Sequence, residues 1–208
     1  MPIRISIVED HKVTRASLAA LIRGSPGFCL VADYPDAETA LKDIPHRKPD
    51  VVLMDISLPG MDGVECVREL KRLVPNVQFL MLTVFEEYGS LFDSLKAGAS
   101  GYLLKRSVPA RLLDAIRDVA SGYSPITPQL ARRVVQYFSV PAETQPPVAG
   151  LTPAEREFLD QFARGYACEE IADQMKLSSD TVRTRVRAVY EKLQVHSWFR
   201  NIALSPTP

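Results

Sequence analysis

Seven residues constrain the fold more than any others. In Pro49-Asp50-Val51-Val52-Leu53-Met54-Asp55, four consecutive apolar residues, two of them β-branched, lie between a Pro-Asp break and a carboxylate. A continuous apolar run of this length suits a strand buried on both faces, as in a parallel sheet covered by helices. Asp55 then stands at the strand's carboxyl end, where Leu58-Pro59-Gly60-Met61-Asp62-Gly63 turns the chain away. In open α/β sheets the crevice outside those ends is where ligands bind.

The neighbouring sequence repeats the pattern. Strands are predicted at 3–8, 28–32, 77–82 and 101–104, and helices at 13–23, 36–42, 62–74, 87–97 and 109–120. Strands alternating with helices over about 120 residues predict an α/β doubly wound five-stranded parallel sheet. A further helix is compatible with 127–138. Residues 140–150, with three prolines and no periodicity, then read as a semi-extended linker. Beyond it the texture is all helical. Leu151-Thr152-Pro153-Ala154-Glu155 is a helix start, with Thr152 as cap, Pro153 in the first turn and Glu155 closing a capping box. That helix is expected to run to Arg164, followed by a short second helix at 169–175, a third at 179–193 and a fourth from about Ser197. The resulting division is 1–125, a sheet domain; 126–150, a linker; and 151–208, a small all-α domain.

Basic and acidic residues number 25 each, so no global field points to nucleic acid or a membrane surface. The longest nearly apolar run, Phe79 to Phe85, is too short to span a bilayer, and the amino terminus MPIRISIVED turns acidic by position 9. Three scattered cysteines (Cys29, Cys66, Cys168) fit neither a disulfide framework nor a zinc site. The expectation is a cytoplasmic protein with reduced thiols and no membrane partner.

Glu9 and Asp10, Asp55, Thr83 and Lys105 all stand where predicted strands end. Parallel strands would gather them on one rim despite their sequence separation. Crowded carboxylates repel one another and raise at least one pKa. A hard cation relieves this, and Mg²⁺ takes one or two carboxylates with waters and phosphate oxygens. Asp55 is then placed to attack a phosphoryl group while the cation, the Lys105 ammonium and the Thr83 hydroxyl neutralise its oxygens. The chain lacks a GxxxxGK[ST] stretch, so the phosphoryl group is expected from another molecule rather than from P-loop-bound ATP.

Glu9-Asp10-His11, Met54-Asp55-Ile-Ser-Leu-Pro59-Gly-Met-Asp-Gly63, Leu82-Thr83 and Gly101-Tyr-Leu-Leu-Lys105 together resemble the receiver domain of two-component response regulators. The resemblance implies Asp55 as phosphoacceptor and a histidine kinase as donor. It also implies Asp10, Asp55 and the Ser57 backbone carbonyl on Mg²⁺, with Glu9 nearby, and Thr83 and Tyr102 as a coupled switch pair. Two positions depart from the common pattern. Glu9 replaces an Asp, and Val84 stands where many receivers carry Ala, a bulk expected to hinder water and slow dephosphorylation.

In the 179–193 segment, Val182, Val186, Val189 and Leu193 share one narrow sector of a helical projection, with Arg183, Thr184 and Arg187 opposite. A short helix, a tight turn and then such a helix form a helix-turn-helix, whose second helix enters the major groove. Residues 151–208 hold eight basic and eight acidic residues, but 178–200 holds five against two, so positive charge is local. Leu151-Thr-Pro-x-Glu-Arg-Glu-x-Leu159, Glu170-Ile-Ala172, Leu177-Ser-x-x-Thr-Val-Arg183 and Lys192-Leu-x-Val195 resemble the LuxR-type helix-turn-helix. Nearly the whole chain is therefore similar to the NarL/FixJ class of response regulators. The family's DNA-facing positions fall on Thr181, Arg183, Thr184 and Arg187, with Arg185 a phosphate contact. Ala154, the Ala167-Cys168-Glu169 triplet, Arg185 and Trp198 depart from the usual residues, which bears on DNA affinity rather than on the fold.

The function expected is a phosphorylation-dependent DNA-binding transcription regulator that controls promoter binding and dimerises on phosphorylation. A switch from 1:99 to 99:1 needs about 5.5 kcal/mol, and charge-assisted bonds from Thr83 and Lys105, at about 1.5–3 kcal/mol each, are of that order. An alternative is a phosphotransfer or protein-interaction module whose degenerate helix-turn-helix does not bind DNA sequence-specifically. An aspartyl phosphatase is disfavoured, because Ser57 stands where the haloacid-dehalogenase pattern needs a second Asp. No enzyme turnover is expected beyond slow loss of the phosphoryl group from Asp55.

Overall fold

The apolar runs pair as one five-stranded sheet. β1 (Ile3–Val8), β2 (Phe28–Tyr34), β3 (Val51–Asp55), β4 (Gln78–Thr83) and β5 (Gly101–Leu104) lie in the order β2-β1-β3-β4-β5. All four pairings are parallel. This order reverses direction between β1 and β3, and a doubly wound sheet has its binding crevice at that reversal. The computed structural model describes residues 1–83, 88–105, 108–123, 151–166 and 168–203. Val84 and the expected linker helix at 127–138 lie outside the described residues, as does Ala167.

All five residues of β3 are buried, as a strand with helices on both faces requires. Successive residues face opposite sides. Val51 and Leu53 join Ile5, Ile7, Leu80, Leu82 and Leu103 in one core cluster, covered by Leu18, Ala19 and Ile22 of α1 (Lys12–Arg23) and Leu112, Ala115, Ile116 and Val119 of α5 (Val108–Ala120). The alternate residues Val52, Met54, Phe79 and Met81 are equally buried. On that side lie α2 (Ala37–Arg47), α3 (Gly63–Leu73) and α4 (Tyr88–Ala97), with Ile44, Val67, Leu70 and Leu95 fully buried.

Local chemistry sets the boundaries. The side chains of Asp36 and Asp62 cap α2 and α3 by accepting from Thr39 N and Glu65 N at 2.8 and 2.7 Å. His11 caps α1, its Nδ1 accepting from Thr14 N at 3.4 Å. Histidine is not among the usual cap residues, so the sequence does not announce this role. The helix expected over 36–42 runs on to Arg47 with Pro45 inside it. Pro45 falls in the last turn, and fully buried Ile44 anchors that turn until Lys48 ends it at φ 48°.

The chain divides into two units, Met1–Gly122 and Tyr123–Pro208. In the second, α6 (Pro153–Arg164) opens with the expected capping box between Thr152 and Glu155 and closes on Gly165 at φ 101°. α7 (Cys168–Met175) follows, and Lys176, at φ 53°, makes the turn. α8 then runs unbroken from Ser179 to Ala203, in place of the two helices expected there. No glycine or proline occurs in Gln194–Ser197 to separate them. Phe158, Phe162, Ile171, Val182, Val186 and Val189 form the small core, with Phe158 and Phe162 edge to face at 6.1 Å.

An added Cβ on Gly63 would lie 1.9 Å from the Asp55 carbonyl oxygen, which is backbone and has no room to yield. Gly63→Ala is expected to lower stability in urea by about 3 kcal/mol or more. Lys71 donates from Nζ to the Val77 and Pro75 carbonyls at 2.8 and 3.2 Å and lies over the Phe79 ring. Burial brings its pKa down to about 8. The unfolded chain keeps this proton up to the ordinary lysine value, so the folded state gains stability as pH rises from about 8 toward 10. Measured against Lys71→Met, the parent should gain about 1–2 kcal/mol over that window in urea melts, a figure reduced for partial exposure.

Candidate functional site

The register of the sheet sets the site. Val8 pairs with Met54, so Glu9 emerges beside Asp55; Asp55 pairs with Leu82, one residue before Thr83; Thr83 pairs with Leu104, one residue before Lys105. The rim residues expected from sequence therefore stand in one row. Glu9 is fully buried, and Asp55 and Thr83 are 3% and 4% exposed. Asp10, by contrast, is exposed.

Lys105 binds the row together. Its Nζ lies 2.9 Å from Asp55 Oδ2 and 2.7 Å from Glu9 Oε2, and donates a hydrogen bond to Glu9 Oε1 at 3.0 Å. Burial alone would lower the Lys105 pKa, but the hydrogen bonds and charges of Glu9 and Asp55 outweigh it and hold the ammonium above its ordinary value. Burial raises the Glu9 carboxyl, the Asp55 charge adds to the rise, and the Lys105 bond only partly opposes it. One ammonium thus serves two carboxylates, with Asp10 beside them.

Among the described residues, carboxylate oxygens of Glu9, Asp10 and Asp55 lie within 4.8 Å of one another and could hold a metal ion. The donor set fits a hard cation, being all oxygen and carrying more negative charge than Lys105 cancels. Glu9 Oε2 is buried, and the Lys105 ammonium lies 2.7 Å from it.

Ser57 sits on the loop between β3 and α3, its N–H directed at Asp55 Oδ1 over 3.4 Å. The base of this loop is closed by Gly63 N donating to Ile56 O at 3.0 Å, and its tip by Met61 N donating to Glu38 Oε1 at 3.0 Å. Tyr102 is 6% exposed on β5, three residues before Lys105. Arg15, which the sequence reading did not single out, donates from Nη1 to the main-chain carbonyls of Glu9 and Asp10 at 2.6 and 3.2 Å.

In the second unit, the apolar stripe of α8 packs inward at Val182, Val186 and Val189. Thr184 and Arg187 are exposed, and Thr181, Arg183 and Arg185 are half-buried. Several of these groups are already engaged. Thr181 Oγ1 shares a hydrogen with Ser178 Oγ at 2.8 Å, and Thr184 Oγ1 donates to Asp180 O at 2.8 Å. Arg183 lies 3.6 Å from Glu169 and 3.8 Å from Asp180, and Arg187 lies 2.9 Å from Glu191. Lys192 instead pairs with Glu155 at 2.6 Å. Burial would raise the Glu155 carboxyl, but bonds from Lys192 and Thr152 bring it below the ordinary range, tying the capping box of α6 to α8.

Comparison with known proteins matches both halves. Residues 5–117 match the response regulator receiver domain, and residues 149–203 match the bacterial regulatory proteins of the luxR family. The DNA-binding transcriptional activator DevR/DosR of Mycobacterium tuberculosis is 32% identical over 191 residues, spanning 92% of this chain and 88% of that protein. Response regulator UvrY of Escherichia coli is 32% identical over 194 residues, spanning 93% and 89%. The crystal structure of a LuxR-family two-component response regulator from Aurantimonas sp. superposes with a TM-score of 0.61 at 32% identity, over 66% of this chain and 98% of that one. With the parallel sheet and acidic rim in one half and the helix-turn-helix in the other, these matches place the chain among the two-component response regulators of the NarL/FixJ class.

Proposed function

We propose that the chain is a transcription regulator whose DNA binding is controlled by a phosphoryl group accepted on Asp55 from a histidine kinase. The observation that carries this reading is the Lys105 ammonium held between Glu9 and Asp55 at the sheet rim, 2.7 and 2.9 Å away. An Asp55 oxygen attacks phosphorus, the phosphorus–nitrogen bond of the donor's phosphohistidine breaks, and the departing imidazole takes up a proton. The product is an acyl phosphate on Asp55, whose phosphoryl oxygens carry a charge of about −1.5 to −2 in place of the single charge of the carboxylate. Mg²⁺ would be held by Glu9, Asp10 and Asp55 and the Ser57 carbonyl; when bound it neutralises the phosphoryl oxygens. Lys105 is already placed to exchange a carboxylate partner for a phosphoryl oxygen.

The remaining assignments follow from this one. Thr83, one strand over, donates its hydroxyl to the phosphoryl group, and Tyr102 responds to the space Thr83 vacates. The side chain of Val84 limits water's approach and lengthens the life of the acyl phosphate. The receiver spans 1–125, a linker spans 126–150, and the DNA-binding domain spans 151–208, where Thr181, Arg183, Thr184, Arg185 and Arg187 meet DNA. Phosphorylation favours a homodimer whose two reading helices address paired half-sites. The protein acts in the cytoplasm, turns over no substrate, and loses its phosphoryl group only by slow self-hydrolysis.

A second reading is favoured by one observation. Two of the three arginines meant for DNA are paired with carboxylates of their own domain, Arg183 with Glu169 and Asp180, and Arg187 with Glu191. A surface neutralised in this way suits a protein partner better than a polyanion. DNA titration separates the two.

Two measurements follow. Beryllofluoride with Mg²⁺ is expected to tighten promoter-fragment binding by the full chain and to leave Asp55→Asn unchanged; equal binding with and without it would refute the coupling. Glu169→Lys removes an exposed partner of Arg183 that is worth about 1 kcal/mol or less. It should tighten DNA binding severalfold and, if the new lysine meets a phosphate, steepen the log–log salt slope by about 0.9.

A further inference from the structure

The β1–α1 turn must hold two adjacent acidic side chains, Glu9 buried and Asp10 exposed, against their mutual repulsion. The His11 ring bonds forward to Thr14, while its main-chain N–H bonds the Glu9 carboxyl. The side chain that reaches back to the main chain of both residues is Arg15, one turn into α1. Its Nη1 donates to the carbonyl of Glu9 at 2.6 Å and to that of Asp10 at 3.2 Å. On its other side Nε lies 3.4 Å from Asp33 Oδ1, at the end of β2, and only 17% of the side chain is exposed. Asp33 is itself flanked by Arg23, 3.7 Å away. The guanidinium therefore spans from the second strand to the main chain of both acidic residues, and its planar fork fixes direction as well as distance.

We infer that Arg15 is a positioning residue for the cation site, setting the main chain of Glu9 and Asp10 so that their carboxylates converge with Asp55. This rests on the metal reading proposed above. Outer partners that orient metal ligands typically change metal affinity by about 10- to 100-fold when removed. Charge alone acts in the opposite direction. A cation near a cation site repels the metal, so deleting the guanidinium would tighten binding if electrostatics were its only effect. The two accounts differ in sign.

The test is Mn²⁺ titration of the full chain, read from the electron paramagnetic resonance of free Mn²⁺, for the parent, Asp10→Asn, Arg15→Lys and Arg15→Met. Arg15→Lys keeps the charge but loses the fork, so electrostatics predicts no change and positioning predicts weaker binding. The expected result is saturable binding by the parent, lost or strongly weakened in Asp10→Asn. Affinity should fall severalfold in Arg15→Lys and about 10-fold or more in Arg15→Met. If Arg15→Met does not fold, the charge-conserving Arg15→Lys decides alone. A parent that binds while Arg15→Lys binds equally well, or Arg15→Met binds more tightly, overturns the positioning role and leaves the site intact. A parent without saturable binding overturns the metal reading and this inference together.

Discussion

Everything in the first unit depends on keeping carboxylates close together at the edge of an apolar sheet. Glu9 and Asp55 are buried, and Glu9 is fully removed from water. Placing such charges side by side is unfavourable unless something compensates. Lys105 compensates in part, with one ammonium within 3 Å of both. An imbalance remains, with one lysine facing the three carboxylates of Glu9, Asp10 and Asp55, and a cation at the rim would relieve it.

The rest of the fold serves that arrangement. Parallel strands bring every carboxyl end to one edge, so residues separated by 96 positions, Glu9 and Lys105, meet in a hydrogen bond. The loop carrying Ser57 is drawn tight by Gly63, whose lack of a side chain lets it pass against the Asp55 carbonyl, and its tip is held by Glu38. The second unit uses a different device. There a buried valine stripe fixes which side of α8 faces out, and the Glu155–Lys192 pair ties that helix to α6.

How much of this was legible depended on the range of the interaction. The rim residues could be read because a parallel sheet turns one-dimensional strand ends into a single edge, whatever the loops do. The capping box at Thr152 and Glu155 was equally plain, being a pattern of four residues. Arg15 was not legible: its role depends on the path of the β1–α1 turn, which brings its side chain back to the Glu9 carbonyl six residues earlier. A histidine as cap of α1 was missed because serine, threonine and aspartate are the usual signals. The pairing of Arg183 with Glu169 needed the angle between α7 and α8, although the departure of the Ala167-Cys168-Glu169 triplet from the usual residues was a visible hint.

The central claim concerns which atom receives the phosphoryl group. Brief exposure of the full chain to acetyl phosphate and Mg²⁺, followed by borohydride reduction, converts an aspartyl phosphate to homoserine and records its position by peptide mass spectrometry. The account predicts homoserine at position 55 alone, formed only when Mg²⁺ is present. Homoserine at another carboxylate, or none at position 55, would contradict it.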